Sequence, residues 1–233
     1  MANPVLKSMT PSQAIPALRN GQRLSRDEFE RRFDAMPKLK KAELIEGVVY
    51  MPSPVRQKQH GGPHFNLIGW MGAYQVHTPG VEGGVSSSIR LDMDNEPQPD
   101  GVLFIEPERG GHAFIDADDY VAGSPELAAE VSASTTRLDL KTKFKVYRRN
   151  EVREYLIWRV AKKKIDWYVL RNGKYEPLPP GRDGVLQSEV FPGLWLDAKA
   201  LVRGDLPRVH EVLQQGLQSR EHAQFVARLK GGS

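Results

Sequence analysis

Three side chains far apart in this 233-residue chain have the types needed for hydrolytic chemistry on a phosphate: Asp100, Glu130 and Lys143. Asp100 follows Gln98-Pro99 and opens onto the apolar run Val102-Leu103-Phe104-Ile105, so it stands at the mouth of a strand. Glu130 lies inside a second short apolar run, Leu127-Ala128-Ala129-Glu130-Val131. A charged residue is almost never fully buried unless it is paired or bound to a metal. A divalent cation shared with Asp100 would satisfy both acids. Lys143 belongs to a segment that reads as a helix over 137–149, four residues after Asp139 and four before Tyr147, which puts the three on one helix face. Asp, Glu and Lys so ordered form the minimum set for metal-assisted phosphodiester cleavage. Hard cations such as Mg²⁺, or Mn²⁺ in its place, take oxygen ligands, so Asp100, Glu130 and the main-chain carbonyl of Val131 would suffice with water and the scissile phosphate. The cation polarises the phosphoryl oxygen and lowers the pKa of a bound water. Lys143 would orient that water or offset the charge of the transition state.

Plainer readings stand beside these. An Asp that begins a strand commonly caps a turn. Lys143 could pair with Asp139 on a solvated helix, Glu43 could pair with Lys40 or Lys41, and His60, just before a helix start, could act as a cap. Tyr147 reads as a core aromatic, and His64 and His77 show no metal spacing with each other. Lys141, Lys145, Arg148 and Arg149 give the same helix a basic flank suited to phosphates.

The elements that would carry these residues follow from periodicity and punctuation. Ser25 with Glu28 three residues on predicts a capping box and a helix from Arg26 to about Phe33, with Phe29 and Phe33 on one face. Residues 42–51 read as a hairpin or bent strand turning at Gly47. A helix starts near Pro63 or His64 and ends at Thr78-Pro79-Gly80. Residues 81–93 read as one half-buried strand, and 106–123 as a polar surface excursion. Asn150 is expected just past the end of the 137–149 helix. Strands follow at 152–158 and 164–170, Asn172-Gly173 marks a tight turn, 185–196 is a last strand region and 205–229 a helical tail. This order predicts an α/β or α+β fold with a central mixed sheet flanked by helices. A division into an arm over 1–20, a main domain over 21–200 and a helical tail over 201–233 is expected.

Composition narrows the function classes. With 39 % hydrophobic and 27 % charged residues the chain should bury a sizeable core. It has no cysteine, which excludes disulfides and thiolate metal sites and suits a reducing cytoplasm. No apolar run reaches the length of a membrane span, and the first 18 residues do not resemble a signal peptide. A net charge of +4 permits a polyanionic partner. No Gly-rich phosphate loop is present, because Gly61-Gly62 lacks a strand before it and a Lys after it.

Several pieces in one order resemble the Uma2 family of endonucleases within the PD-(D/E)XK superfamily: Glu43-Leu44-Ile45-Glu46-Gly47, His60, Pro99-Asp100, Pro125 to Ser132, Asp139 with Lys143 and Tyr147, Val152-Arg153-Glu154-Tyr155, and Phe191-Pro192-Gly193-Leu194. The resemblance covers roughly residues 40–197. Superfamily members usually carry the lysine two residues after the glutamate, where this chain has Ser132. The Uma2 pattern supplies it from the following helix, at Lys143. The resemblance implies a restriction-endonuclease-like core and a Mg²⁺-dependent endodeoxyribonuclease. Its site would comprise Asp100, Glu130, Lys143 and Glu43, the last holding a second metal or a metal-bound water, with His60 as a further site candidate. It implies a nucleic-acid partner, DNA first, and no membrane. A homodimer would let two sites cut two strands. A nucleic-acid-binding or assembly module that keeps the fold without cutting is the alternative, and retention of Asp100, Glu130 and Lys143 together favours the enzyme.

Overall fold

The structure, a computed structural model, describes residues 15–51, 54–133 and 138–231. Its elements in chain order are α1 Arg26–Asp34, β1 Glu43–Ile45, β2 Val48–Tyr50, α2 Gly62–Val76, β3 Val81–Val85, β4 Ile89–Arg90, β5 Gly101–Ile105, β6 Ala113–Ile115, β7 Val121–Gly123, β8 Leu127–Ser132, α3 Phe144–Arg149, β9 Glu154–Arg159, β10 Lys164–Arg171, β11 Lys174–Pro177, β12 Leu186–Gln187, β13 Trp195–Leu196, α4 Ala198–Arg203, α5 Leu206–Leu217 and α6 Arg220–Gly231. Two π-helical turns, Gln57–Gly61 and Leu138–Lys143, run directly into α2 and α3.

Six strands form the central sheet in the order β11-β10-β9-β8-β5-β3. Only β8 and β9 run parallel, joined by the crossover that contains α3, and the other pairs are antiparallel. The fold is therefore α/β with a mixed sheet.

Alternation along the central strands sends side chains to two different cores, as the pleat requires. Leu103 and Ile105 of β5, Leu127, Ala129 and Val131 of β8, and Leu156 and Trp158 of β9 join the large cluster packed by α2, α4, α5 and α6. On the other face Ala128, Tyr155 and Ile157 pack against Tyr147 of α3, and Val102 and Phe104 against the small sheet β4-β7-β6. Glu130 has the parity of Ala128, and Asp100 that of Val102. Both acids therefore belong to the α3 face.

Local expectations hold at several points. Ser25 accepts from the Glu28 N–H, although Glu28 turns its own carboxylate to Arg31 and Arg32 instead of back to the cap. The Glu46-Gly47 and Asn172-Gly173 pairs both take positive φ, the conformation a two-residue hairpin needs. Elsewhere the structure differs. The single strand expected over 81–93 is two, because Ser86 takes φ 51° and turns the chain out of the main sheet before β4. The 106–123 excursion supplies β6 and β7. Asn150 ends α3 in an ordinary conformation, and Glu151 takes the left-handed one. The segment read as one helix over 137–149 is a π-helical turn followed by α3. Residues 134–137 and the Asp139 side chain, read as a face partner of Lys143, lie outside the described residues.

The last helices share the main core. Val209, Leu213, Phe225 and Leu229 lie in the same cluster as the sheet residues. Tyr74 of α2 donates to the Pro192 carbonyl, and Trp70 to that of Trp195.

Candidate active site

The β5–β8 register pairs Gly101 with Ala129, so one step further along the ladder Asp100 lies opposite Glu130. Directly opposed residues share a face. Both acids line one cleft of about 750 Å³, together with Lys41, Glu43, His60, His64, Val131 and Lys143.

Each side chain is positioned by a separate device. Asp100, buried, accepts from the Val131 N–H at 2.7 Å through Oδ2, which ties the mouth of β5 to the end of β8. The same oxygen lies 3.3 Å from His60 Nε2, and Oδ1 lies 3.8 Å from Lys41 Nζ. Burial pushes the Asp100 carboxyl up, but His60, Lys41 and the Val131 N–H together hold it below its ordinary value. Glu43 is carried by β1, which the Leu44–Glu96 bridge pins to the chain leading into β5. Its Oε1 accepts from the Gln98 N–H at 2.7 Å.

Lys143 is the centre of the arrangement. It is only 3 % exposed, and its Nζ lies 2.7 Å from Glu130 Oε1 and 2.7 Å from Glu43 Oε1. The ammonium thus bridges a strand acid to an acid from the N-terminal hairpin. Tyr147, one helical turn on, donates to Glu130 Oε1 at 3.2 Å. Read from sequence as a core aromatic alone, it is both fully buried and a partner of the acid.

Of the expected site residues, Asp100, Glu130, Glu43, Lys143, Val131 and His60 are brought together in the cleft. Val131 enters the hydrogen bonding through its N–H rather than its carbonyl. Lys141, Lys145, Arg148 and Arg149 are exposed on and beside α3. Arg149, however, is engaged within the chain, with Glu46 at 2.8 Å and Asp92 at 3.3 Å. His60 is no cap: it sits in the π-helical turn that leads into α2.

His64, Lys41 and Gln98 were missed. His64 Nε2 lies 2.9 Å from the Asp100 carbonyl, and one ring nitrogen each of His60 and His64 gathers with an Asp100 oxygen within 4.8 Å. The signal was present as His60-Gly-Gly-Pro-His64, a spacing of four, whereas only the distance from His64 to His77 had been weighed. Gly101 permits this approach. A Cβ there would stand 2.8 Å from Ile68 Cδ1 and 2.9 Å from Met71 Sδ, so its absence lets α2 lie close to the strand.

The donor chemistry fits a hard divalent cation: two buried carboxylates on one face of adjacent strands, in a cleft open to an incoming ligand.

A family model described as "Putative restriction endonuclease", Uma2, matches residues 26–199. The chain belongs to the Uma2 family. No curated protein matches it. A crystal structure from Anabaena variabilis ATCC 29413, titled as "a putative nuclease belonging to DUF820", aligns over 77 % of this chain and 98 % of its own, with a TM-score of 0.58 and 15 % identity. At that identity the likeness is one of fold. The Uma2 match spans α1, the hairpin carrying Glu43 and every strand of the main sheet, so all the cleft's acids and Lys143 lie inside it.

Proposed function

We propose that this Uma2 protein is a metal-dependent endonuclease that hydrolyses phosphodiester bonds in DNA. The observation that carries the reading is the Lys143 ammonium held between Glu43 and Glu130 in the cleft that also holds Asp100. Structural ion pairs rarely need a buried lysine flanked by two acids next to a third, because desolvating them all is costly. At a phosphoryl-transfer site the same group has a use, since charge builds on the phosphate oxygens as the bond breaks.

Asp100, Glu130 and the Val131 carbonyl would hold the cation. A divalent cation bound there supplies polarisation of the phosphoryl oxygen and a water of lowered pKa. Lys143, fixed at its tip by two carboxylates, places a positive charge beside the reacting phosphate without having to reorganise. Glu43 holds Lys143 in place, and Tyr147 keeps Glu130 turned towards it. Lys41 and Arg56 on the cleft wall, with Lys141, Lys145 and Arg148 beyond it, would meet neighbouring phosphates.

The test is a cleavage assay on single-stranded, duplex and branched DNA and on RNA, each with Mg²⁺, Mn²⁺ or EDTA. Cleavage of DNA that requires the cation and is lost in Asp100→Asn and Glu130→Gln is expected. Cutting that survives EDTA, or equal cutting by both variants, would refute the assignment. DNA binding without any cutting would favour the non-catalytic module.

A further inference from the structure

We propose that His60, His64 and Asp100 form a second cation position, rich in nitrogen, that takes a borderline transition metal such as Zn²⁺ in preference to Mg²⁺. It adjoins the oxygen-lined position of Glu130 and the Val131 carbonyl and shares Asp100 with it. The inference rests on donor geometry, and stands or falls separately from phosphodiester cleavage.

The tautomer of His64 is settled by its partner. A main-chain carbonyl can only accept, so the His64 Nε2 that lies 2.9 Å from the Asp100 oxygen carries the proton. Nδ1 therefore keeps its lone pair. A ring held through one N–H by a backbone carbonyl, with the other nitrogen available, is the usual arrangement of a metal-bound histidine.

His60 adds the second nitrogen. Its Nε2 lies 3.3 Å from Asp100 Oδ2, beyond the ordinary range of an N–H···O hydrogen bond. Two ligands about 2.1 Å from one tetrahedral ion lie about 3.4 Å apart, which matches that separation closely. The two rings meet edge to face, with centroids 5.4 Å apart. One ring nitrogen of each histidine and one Asp100 carboxylate oxygen lie within 4.8 Å of one another.

Local sequence explains the placement. The π-helical turn holding His60 runs into α2 at Gly61-Gly62, and Pro63 stands in the first turn of α2. His60 stands beside Asp100 Oδ2 and His64 beside the Asp100 carbonyl, while Lys41 lies on the Oδ1 side. Imidazole nitrogen favours Zn²⁺ and its neighbours in the transition series, whereas carboxylate and water favour Mg²⁺. The two positions should therefore differ in preference.

Isothermal titration of the full chain with Zn²⁺ and with Mg²⁺ tests this, alongside pulsed electron paramagnetic resonance of bound Cu²⁺, which like Zn²⁺ favours imidazole. His64→Ala should weaken Zn²⁺ binding at least tenfold and change Mg²⁺ binding by less than about twofold, on the scale of losing one metal contact. Glu130→Gln should do the reverse. In the parent protein, nitrogen modulation from two imidazoles is expected on Cu²⁺, a reading that needs no variant to fold. Zn²⁺ affinity unchanged in a folded His64→Ala, or Cu²⁺ spectra without histidine nitrogen, would overturn the proposal.

Discussion

Lys143 lies where three demands meet. It is buried, its charge is compensated twice over, and its partners come from distant parts of the chain. Removing it leaves Glu43 and Glu130 facing each other in a buried setting. Breaking a buried ion pair by removing one partner costs about 3–5 kcal/mol. Lys143→Ala should therefore lower turnover by roughly 10²-fold or more and also lower the melting temperature. Divalent cation should then restore stability more in the variant than in the parent, because it replaces the missing positive charge. Calorimetric melts with and without Mg²⁺ check this; an equal metal-induced shift in both proteins would mean that the lysine and the cation do not serve the same acids.

At the scale of elements, the site is held by joints between segments that pack in separate cores. The hairpin β1–β2 belongs to the small cluster with Phe29 of α1, and the Leu44–Glu96 bridge fixes it to the approach of β5. Glu96, buried, also meets Glu30 of α1, which Arg90 grips through both carboxylate oxygens at 2.9 Å. Burial first, and then the Glu30 carboxylate, push Glu96 from 4.5 up to about 8. The folded protein thus keeps a proton that the unfolded chain has already released. The sign follows: this contribution to stability is complete below about pH 4.5 and is lost as the pH rises through about 8. Glu96→Gln, which mimics the protonated form and can still donate to Glu30, should remove that part of the slope. Urea unfolding midpoints at pH 5, 6.5 and 8.5 measure it, and a variant that tracked the parent at all three would show that Glu96 folds ionised. Glu154, which burial likewise pushes up, to about 7, serves as an anchor. Its buried carboxylate accepts from Trp167, Ser188 and the Glu189 and Val190 N–H groups, anchoring the chain before β13 to β9.

The whole molecule joins a cleft at one end of the sheet to helices that close its opposite face. Among the described residues no helix is long and apolar enough to cross a membrane. Exposed Lys141 and Lys145 flank the buried Lys143, so the outer face of this segment is basic while its inner face holds the acids. Replacing both with Ala should flatten the salt dependence of DNA binding by roughly one to two units while leaving the cleft's hydrogen bonds intact. A slope equal to the parent's would place the nucleic acid elsewhere. Arg149, tied to Glu46 and Asp92, should contribute less to that slope than Arg148. Val212 and Leu213 are buried, and His222 lies 3.0 Å from the Thr78 hydroxyl at the end of α2. Truncation after Gly204 should uncover the apolar face of α2 and broaden or abolish cooperative unfolding, as followed by circular dichroism. An unchanged melt would mark these helices as a dispensable addition.

Sequence by itself determined the segments of the main sheet, the hairpins and the identity of most of the cleft's acids, but not the small sheet formed by β4, β6 and β7. These depend on signals a few residues long: an apolar run interrupted by one acid, a Gly that takes positive φ, a Pro that ends a helix. Asp100, Glu130 and Lys143 were legible because charge inside or beside an apolar run demands a partner. What that partner is could not be read locally. The Lys143 ammonium reaches Glu43, one hundred residues earlier, because β1 is carried to the cleft by its bridge to Glu96. His64 escaped notice for a related reason. Its value depends on the Asp100 carbonyl, a main-chain group with no signature in the sequence, and on the close approach that Gly101 allows between α2 and β5. Periodicity reports which face a residue takes within its own element. Which faces meet is decided by packing between elements, and the cleft exists only where those faces converge.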